Sequence, residues 1–215
     1  SFRFGEKAVC AELPVDCRVV LFSGMPGEII RDYMDLFGPA KLPPKWAFGP
    51  WISANHWDSQ EKVERAVAQA EEHGFPVCAL VAEAWSDEAT FYVFRGARYV
   101  PKPNGGAFRL EDFDFSDSPW PDPAGMVQRL HEKGIRFLLW QIPVYKKQGP
   151  DEPLNAQNEL DQADAVARGL CVHNADGSPY TIPEGYWFAG SMIPDFTNPA
   201  AEETWFSKRN YLTEM

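Results

Sequence analysis

The chain has no apolar stretch approaching the ~20 unbroken residues that a membrane-spanning helix needs, so a membrane partner is not expected. Ser1 to Lys7 show no basic segment followed by an apolar run, and no signal peptide is visible there. Cysteine is scarce. The four at positions 10, 17, 78 and 171 have neither the density of a disulfide scaffold nor C-x-x-C spacing. Cys78 lies inside an apolar run and reads as a small buried hydrophobe. The four histidines are scattered, without H-E-x-x-H or a comparable pair, so no metal is expected. There is no Walker loop, no G-x-G-x-x-G and no G-x-S-x-G, which removes phosphate, dinucleotide and serine-hydrolase readings. Positive charge is also in deficit. A net charge of −11 repels phosphate backbones, and nucleic acid is not an expected partner.

Aromatic residues, by contrast, are plentiful: 8 Trp, 7 Tyr and 15 Phe, several in Pro- and Gly-rich loops rather than periodic segments. Core packing is the commoner use of such rings. On loops they also supply flat platforms for ligands, sugar rings included.

The pattern along the chain changes near residue 36. Ala8 to Leu13 and Arg18 to Phe22 read as short strands separated by Pro14-Val15-Asp16. After the turn Gly24-Met25-Pro26-Gly27, the segment Glu28 to Phe37 carries Ile29, Ile30, Tyr33, Met34 and Phe37 at helical spacing. This opening is too small to bury a core of its own. From Leu42 strands and helices alternate. Trp46 to Ile52, Phe75 to Ala82 and Ile135 to Ile142 are apolar strands, the second unbroken by polar residues as in a strand covered on both faces. A helix follows the Asp58–Glu61 capping box, with Val63, Ala66, Val67 and Ala70 on one stripe and a stop at His73-Gly74. A second opens at Asp122-Pro123, and a third at Asn198-Pro199 with Trp205, Phe206 and Leu212 as apolar contacts. Glu83 to Trp120 is a long loop-rich stretch. Strand–helix alternation of this kind builds a parallel sheet. Three such units neither close a barrel nor make a comfortable open sheet, so the pattern reads as a fold met part-way.

In parallel α/β folds the ligand end is the carboxyl end of the strands. The first exit is Ser53-Ala54-Asn55-His56-Trp57, the second Glu83-Ala84-Trp85-Ser86-Asp87-Glu88, the third Trp140-Gln141-Ile142-Pro143. Each offers a ring beside a polar or acidic group, a combination suited to a sugar. The alternatives are structural. Trp57 could staple a helix start, Trp140 could fill the interior of the fold, and Asp87 and Glu88 could serve a turn. Glycosidic hydrolysis uses two carboxyl groups ~5–5.5 Å apart for retention or ~6.5–9.5 Å for inversion. Glu83 and Asp87, four residues apart in one loop, would approach a sugar from the same side and are not expected to be that pair.

Four motifs in order carry a family resemblance over about residues 20 to 212. Leu42-Pro43-Pro44-Lys45-Trp46-Ala47-Phe48-Gly49 resembles the L-P-P-x-W-x-x-G lead-in of glycoside hydrolase family 31. Trp120-Pro121-Asp122-Pro123-Ala124-Gly125-Met126 resembles its F-P-D-P-x-x-M, and His131-Glu132-Lys133-Gly134 its L-H-x-x-G. Ile193-Pro194-Asp195-Phe196-Thr197-Asn198-Pro199, with Trp205 after it, is similar to its P-D-F-T-N-P.

The resemblance implies an α/β fold: the first three units of a (β/α)8 TIM barrel over residues 37–215, preceded at 1–36 by the tail of a β-sandwich domain and a linker helix. It implies a retaining α-glycosidase or transglucosylase acting on an oligosaccharide or glycoside, with no metal or organic cofactor. The nucleophile and the acid/base, both Asp in the family, are expected beyond Met215, leaving no catalytic residue in this chain. Glu83, where the family commonly has Asp, is expected to hold sugar hydroxyls. Trp140, Gln141, His56, Trp57 and Trp85 are expected to join it in the pocket wall. Trp85 to Tyr92 is similar to the branch that holds oligosaccharide-processing transglucosylases. The alternative is a non-catalytic carbohydrate-binding or scaffold protein with a degenerate barrel.

Overall fold

The computed structural model describes residues 2–6, 8–13, 16–103 and 106–215. The chain separates into two compact units, Ser1–Pro44 and Lys45–Met215. In the first, β1 (Phe2–Phe4) pairs antiparallel with β2 (Val9–Ala11), Phe4 opposite Val9. The first expected strand is therefore shorter than its apolar run and pairs with a partner upstream. Arg18 to Phe22 forms no strand, and the expected break at Pro14-Val15 lies outside the described residues. Helix α1 (Pro26–Phe37) takes in the Pro-Gly of the expected turn, because proline fits a first helical turn whose N–H groups need no partner. Tyr33 packs on Phe22 and Phe37 at ring distances of 5.9 and 4.7 Å. None of this unit's described residues is buried, in keeping with a segment too small for a core.

The second unit is built on a three-stranded parallel sheet in the order β3 (Trp51–Ala54), β4 (Ala79–Ala82), β5 (Arg136–Leu139). β4 occupies the end of its expected run, β5 stops three residues short of the expected Ile142, and β3 runs two residues past the expected Ile52. Trp46 to Phe48, expected as the start of the first strand, coils instead within a short 3-10 turn, Lys45–Phe48, that stacks Trp46 on Trp51 at 5.6 Å. Helices α2 (Gln60–Glu72) and α3 (Pro123–Glu132) join the strands. Asp122 caps α3 as expected, accepting from the Gly125 N–H at 3.0 Å. The cap of α2 is Ser59, one residue later than expected, while Asp58 binds Lys62 at 2.7 Å. Gly74 and Gly134 terminate the two helices at φ 65° and 75°, a conformation that costs residues with a Cβ.

The core lies between these helices and the sheet. Val63 and Val67 of α2, Leu80 and Ala82 of β4, and Met126, Val127 and Leu130 of α3 pack with Trp85, Phe94 and Trp120. Burial of each large side chain contributes roughly 1.5–3 kcal/mol. After β5 come α4 (Ala156–Ala167), α5 (Pro199–Ser207) and the short α6 (Asn210–Thr213). The expected third helix is thus two helices. Trp205 is buried, but Phe206 is exposed. Helix α4 was not anticipated, since its buried face is Gln157, Asn158, Asp161 and Asp164 with a single Ala165.

Candidate functional site

Strand register sets the site. Ala54, Ala82 and Leu139 end their strands level with one another, so the next residues, Asn55, Glu83 and Trp140, emerge side by side. Side chains alternate between faces along a strand, so these three share one face and their successors, His56, Ala84 and Gln141, start on the other. Asn55, Glu83 and Trp140 all line one cavity of about 510 Å3, together with Ala84, Glu88, Lys146, Glu152, Trp187 and Phe188. Ser53, two residues before Asn55 and on the same face, donates its hydroxyl to Glu83 Oε1. That bond fixes the carboxylate at the strand end while its other oxygen keeps its acceptor capacity.

One wall is aromatic. Trp140 lies 5.7 Å from Trp187 and 5.8 Å from Phe91, and Phe188 lies 4.8 Å from Trp187 and 5.6 Å from Phe91. Trp187 is 74% exposed, a broad apolar face open to a ligand. Among the described residues, the non-glycine positions with positive φ are Glu88, Phe91 and Phe188, at 58°, 58° and 60°. Two line the cavity and the third buttresses its wall. Such backbone costs of order 1–3 kcal/mol each and persists where the surroundings over-determine it.

Asp87 holds that strained loop. Its Oδ1 accepts from the N–H groups of Ala89, Thr90 and Phe91 at 3.1, 2.9 and 3.3 Å. Its Oδ2 accepts from Asn155 Nδ2 at 2.9 Å, tying the loop to the cap of α4. Burial pushes the Asp87 carboxyl above its ordinary range despite these donors. It does not line the cavity. Glu88 does, and burial raises its pKa as well. Lys146 Nζ donates to the Glu88 carbonyl and to Glu152 Oε1, both at 2.8 Å, and that hydrogen bond lowers the Glu152 pKa.

Of the residues expected in the wall, Glu83 and Trp140 line the cavity. Trp85 does not. It is fully buried in the core, where its Nε1 donates to the Trp140 carbonyl at 2.9 Å, because the chain turns sharply after Glu83. Gln141 faces the opposite side of the strand exit, and its Oε1 accepts from Arg209 Nε at 2.9 Å. His56 is exposed beside Trp57, which packs partly buried on the core, and neither lines the cavity. Asn55, Glu88, Lys146, Glu152, Trp187 and Phe188 were not anticipated. The register would have found Asn55; the others sit in loops without periodic signal.

Arg209 belongs to a buried polar hub behind this wall. Its guanidinium lies 3.3 Å from the Trp205 ring centroid and donates to the Trp205 and Thr90 carbonyls. Burial lowers its pKa to about 10, still charged at neutral pH. Beside it, Asp161 accepts from Lys208, from the Tyr92 hydroxyl at 2.6 Å and from Gln157 at 2.7 Å. Among the described residues no group of three or more His, Cys, Asp and Glu could hold a metal ion, and no helix is long and apolar enough to cross a membrane.

The model of the glycosyl hydrolases family 31 TIM-barrel domain matches residues 40–215. The chain belongs to this family. It is 42% identical over 186 residues to an isomaltosyltransferase of Sporosarcina globispora, covering 86% of this chain and 17% of that protein. It is 36% identical over 197 residues to the 1,3-alpha-isomaltosidase of Kribbella flavida, covering 91% and 27%. Among solved structures it is similar to the cycloalternan-forming enzyme from Listeria monocytogenes in complex with pentasaccharide substrate. There the TM-score is 0.80 and the identity 40%, over 86% of this chain and 17% of that one. The cycloalternan-degrading enzyme from Trueperella pyogenes in complex with cycloalternan gives 0.81 and 40%, over 90% and 26%. The chain thus spans between about a sixth and a quarter of the length of these relatives.

Proposed function

We propose that the protein carrying this chain cleaves or transfers α-linked glucosyl units, isomaltosyl units in particular, with retention through a covalent intermediate. The observation that carries this reading is the level emergence of Asn55, Glu83 and Trp140 from three parallel strands into one cavity walled by Trp187 and Phe188. Support for the isomaltosyl unit comes from the names of two relatives 42% and 36% identical to the chain. In this reading residues 37–215 supply the first three βα units of a (β/α)8 barrel, and residues 1–36 the end of a β-sandwich and a linker helix. The parallel order β3-β4-β5 and the antiparallel β1–β2 pair agree with it.

Glu83 accepts hydroxyl hydrogen bonds from the sugar, an ionised acceptor being roughly twice as strong as a neutral one. Trp140 and Trp187 cover its C–H face. Trp85 and Gln141 act from behind, the one holding the Trp140 carbonyl and the other tying the strand exit to Arg209. The nucleophile and the acid/base are two further carboxylates of the barrel, about 5–5.5 Å apart across the scissile bond. None of this chain's carboxylates is assigned either role, and no cofactor is required.

The test is an assay of the full-length protein on α-glucosyl and α-isomaltosyl donors, with the first-formed anomer read by NMR. The α-anomer is expected first. Glu83→Gln and Trp140→Ala are each expected to lower kcat/KM about 10- to 100-fold, the loss of about 1.5–3 kcal/mol of binding to a charged or stacked group. Inactivity on every α-glucoside, with sugar binding retained, would favour the non-catalytic binding protein. Full activity in both variants would remove the cavity from the mechanism.

A further inference from the structure

Asp87 heads a closed loop whose ends pair with one another at Ser86 and Phe94. Within it, Glu88 and Phe91 take left-handed backbone, which a residue with a Cβ does not hold unaided. The Asp87 side chain supplies the constraint. Three successive amides, from Ala89, Thr90 and Phe91, converge on its Oδ1, and the Thr90 hydroxyl donates to Oδ2 at 3.0 Å. Such a nest of N–H groups is stabilised by the anion it encloses. Oδ2 also accepts from Asn155 Nδ2 at 2.9 Å, and Asn155 is the N-cap of α4. One oxygen thus fixes the shape of the loop, and the other its place in the fold.

The consequence reaches the cavity through Phe91. Its ring is turned inward, 1% exposed, and meets Trp140 at 5.8 Å and Phe188 at 5.6 Å, edge to face in both cases. Trp140 and Phe188 line the cavity, so Phe91 is the wedge that sets how far their rings stand into it. Two later segments close on the same loop from outside. Lys146 donates to the Glu88 carbonyl at 2.8 Å and Arg209 to the Thr90 carbonyl at 3.4 Å. These bonds hold the loop by its carbonyls, while Asp87 holds it by its amides.

We infer that Asp87 is a positioning residue for the reaction at Glu83: gripped by Asn155, it fixes Phe91 and, through that ring, the aromatic wall on which the sugar lies. This rests on the reading above and goes beyond it, because Asp87 does not line the cavity. The role belongs to the Asp87–Asn155 bond rather than to the charge at one position. An asparagine at position 87 would keep an oxygen for the three amides and offer a donor to position 155. Against the present Asn155 that donor meets a donor, whereas against a carboxylate at 155 the bond is remade in the opposite direction. A carboxylate there can still cap α4, as the Asn155 Oδ1 now does by accepting from the Asn158 N–H at 3.0 Å.

The experiment measures turnover of α-isomaltosyl fluoride by the full-length wild type, by Asp87→Asn, by Asn155→Asp and by the exchanged pair Asp87→Asn/Asn155→Asp. Each is assayed well below its own melting temperature. Both single variants break the bond, one with two donors face to face and the other with two carboxyl groups. In each, kcat/KM is expected to fall about 10- to 100-fold, largely as a rise in KM, the effect of a displaced binding wall. A merely destabilised protein behaves differently: it loses active molecules, which lowers the apparent kcat and leaves KM alone. The exchanged pair is expected to return KM to within about threefold of wild type. Should Asp87→Asn fail to fold, Asn155→Asp and the exchanged pair make the same comparison. A KM within about twofold of wild type in both single variants overturns this inference alone. So does an exchanged pair that melts like the wild type but recovers none of the lost kcat/KM. A wild type inactive on α-isomaltosyl fluoride overturns the reading beneath it as well.

Discussion

Lys208→Met tests the buried hub that braces the cavity wall. Lys208 and Asp161 form an ion pair whose side chains are 4% and 6% exposed, and methionine matches the lysine stem without its charge. The variant leaves the Asp161 carboxylate buried with two neutral donors, the Tyr92 hydroxyl and Gln157 Nε2. Breaking a buried pair from one side costs about 3–5 kcal/mol, because the remaining charge stays desolvated. Two surviving hydrogen bonds put the expected loss at the lower end, about 3 kcal/mol. The pair as a whole is worth less than that. The double variant Lys208→Met/Asp161→Asn leaves neither charge of the pair behind, so it should be more stable than the two single losses added together, with a coupling energy of about 1–3 kcal/mol. Urea unfolding followed by tryptophan fluorescence measures all four corners of this cycle. A loss below about 1 kcal/mol for Lys208→Met, or strictly additive losses, would show that the hub is solvated and braces nothing.

Asp87→Asn converts one of its oxygens to a donor and sets it against Asn155 Nδ2 or the Ala89–Phe91 amides. The burial-raised pKa gives the pH sign: the folded value lies above the unfolded 3.8, so stability rises as pH falls through the folded value. Relative to Asp87→Asn, the wild type should therefore gain stability as pH falls from about 7 toward about 4, and identical pH profiles would refute this. Glu152 has the opposite sign. Its lowered pKa supplies stability above 4.5 that is lost as pH falls through the folded value, so Glu152→Gln should flatten the acid limb of a melting-temperature profile. Trp85→Phe should cost about 1 kcal/mol more than Trp120→Phe. The first removes a donor bonded to the Trp140 carbonyl, while the Trp120 Nε1 has no acceptor among the described residues. Equal melting temperatures for the two would contradict that ranking.

The alternation of strands and helices was legible in the sequence because the core uses ordinary apolar stripes, Val63 and Val67 on one helix and Met126, Val127 and Leu130 on the next. The strand ends, where ligands bind in parallel folds, pointed to Glu83 and Trp140. Register was not legible. β3 passes the end of its apolar run and β5 stops short of its own, and without the level endings of Ala54, Ala82 and Leu139 nothing favours Asn55 over His56, or Trp140 over Gln141. Helix α4 hid because its inner face is amide and carboxylate, which hydrophobic periodicity reads as surface. Trp85 misled for a related reason: at a strand exit a core tryptophan and a ligand platform have the same local sequence, and only the turn at Ser86–Phe94 sends this one inward. Lys146, Glu152, Trp187 and Phe188 come from loops far along the chain and are brought to the cavity by tertiary structure alone.

A structure of the full-length protein with a bound isomaltosyl oligosaccharide tests the central claim most directly. One glucosyl unit is expected with its hydroxyls within about 3.2 Å of the Glu83 carboxylate and its C–H face over Trp140 or Trp187. The sugar bound elsewhere, with Glu83 still turned to Ser53 and the aromatic wall empty, would contradict it.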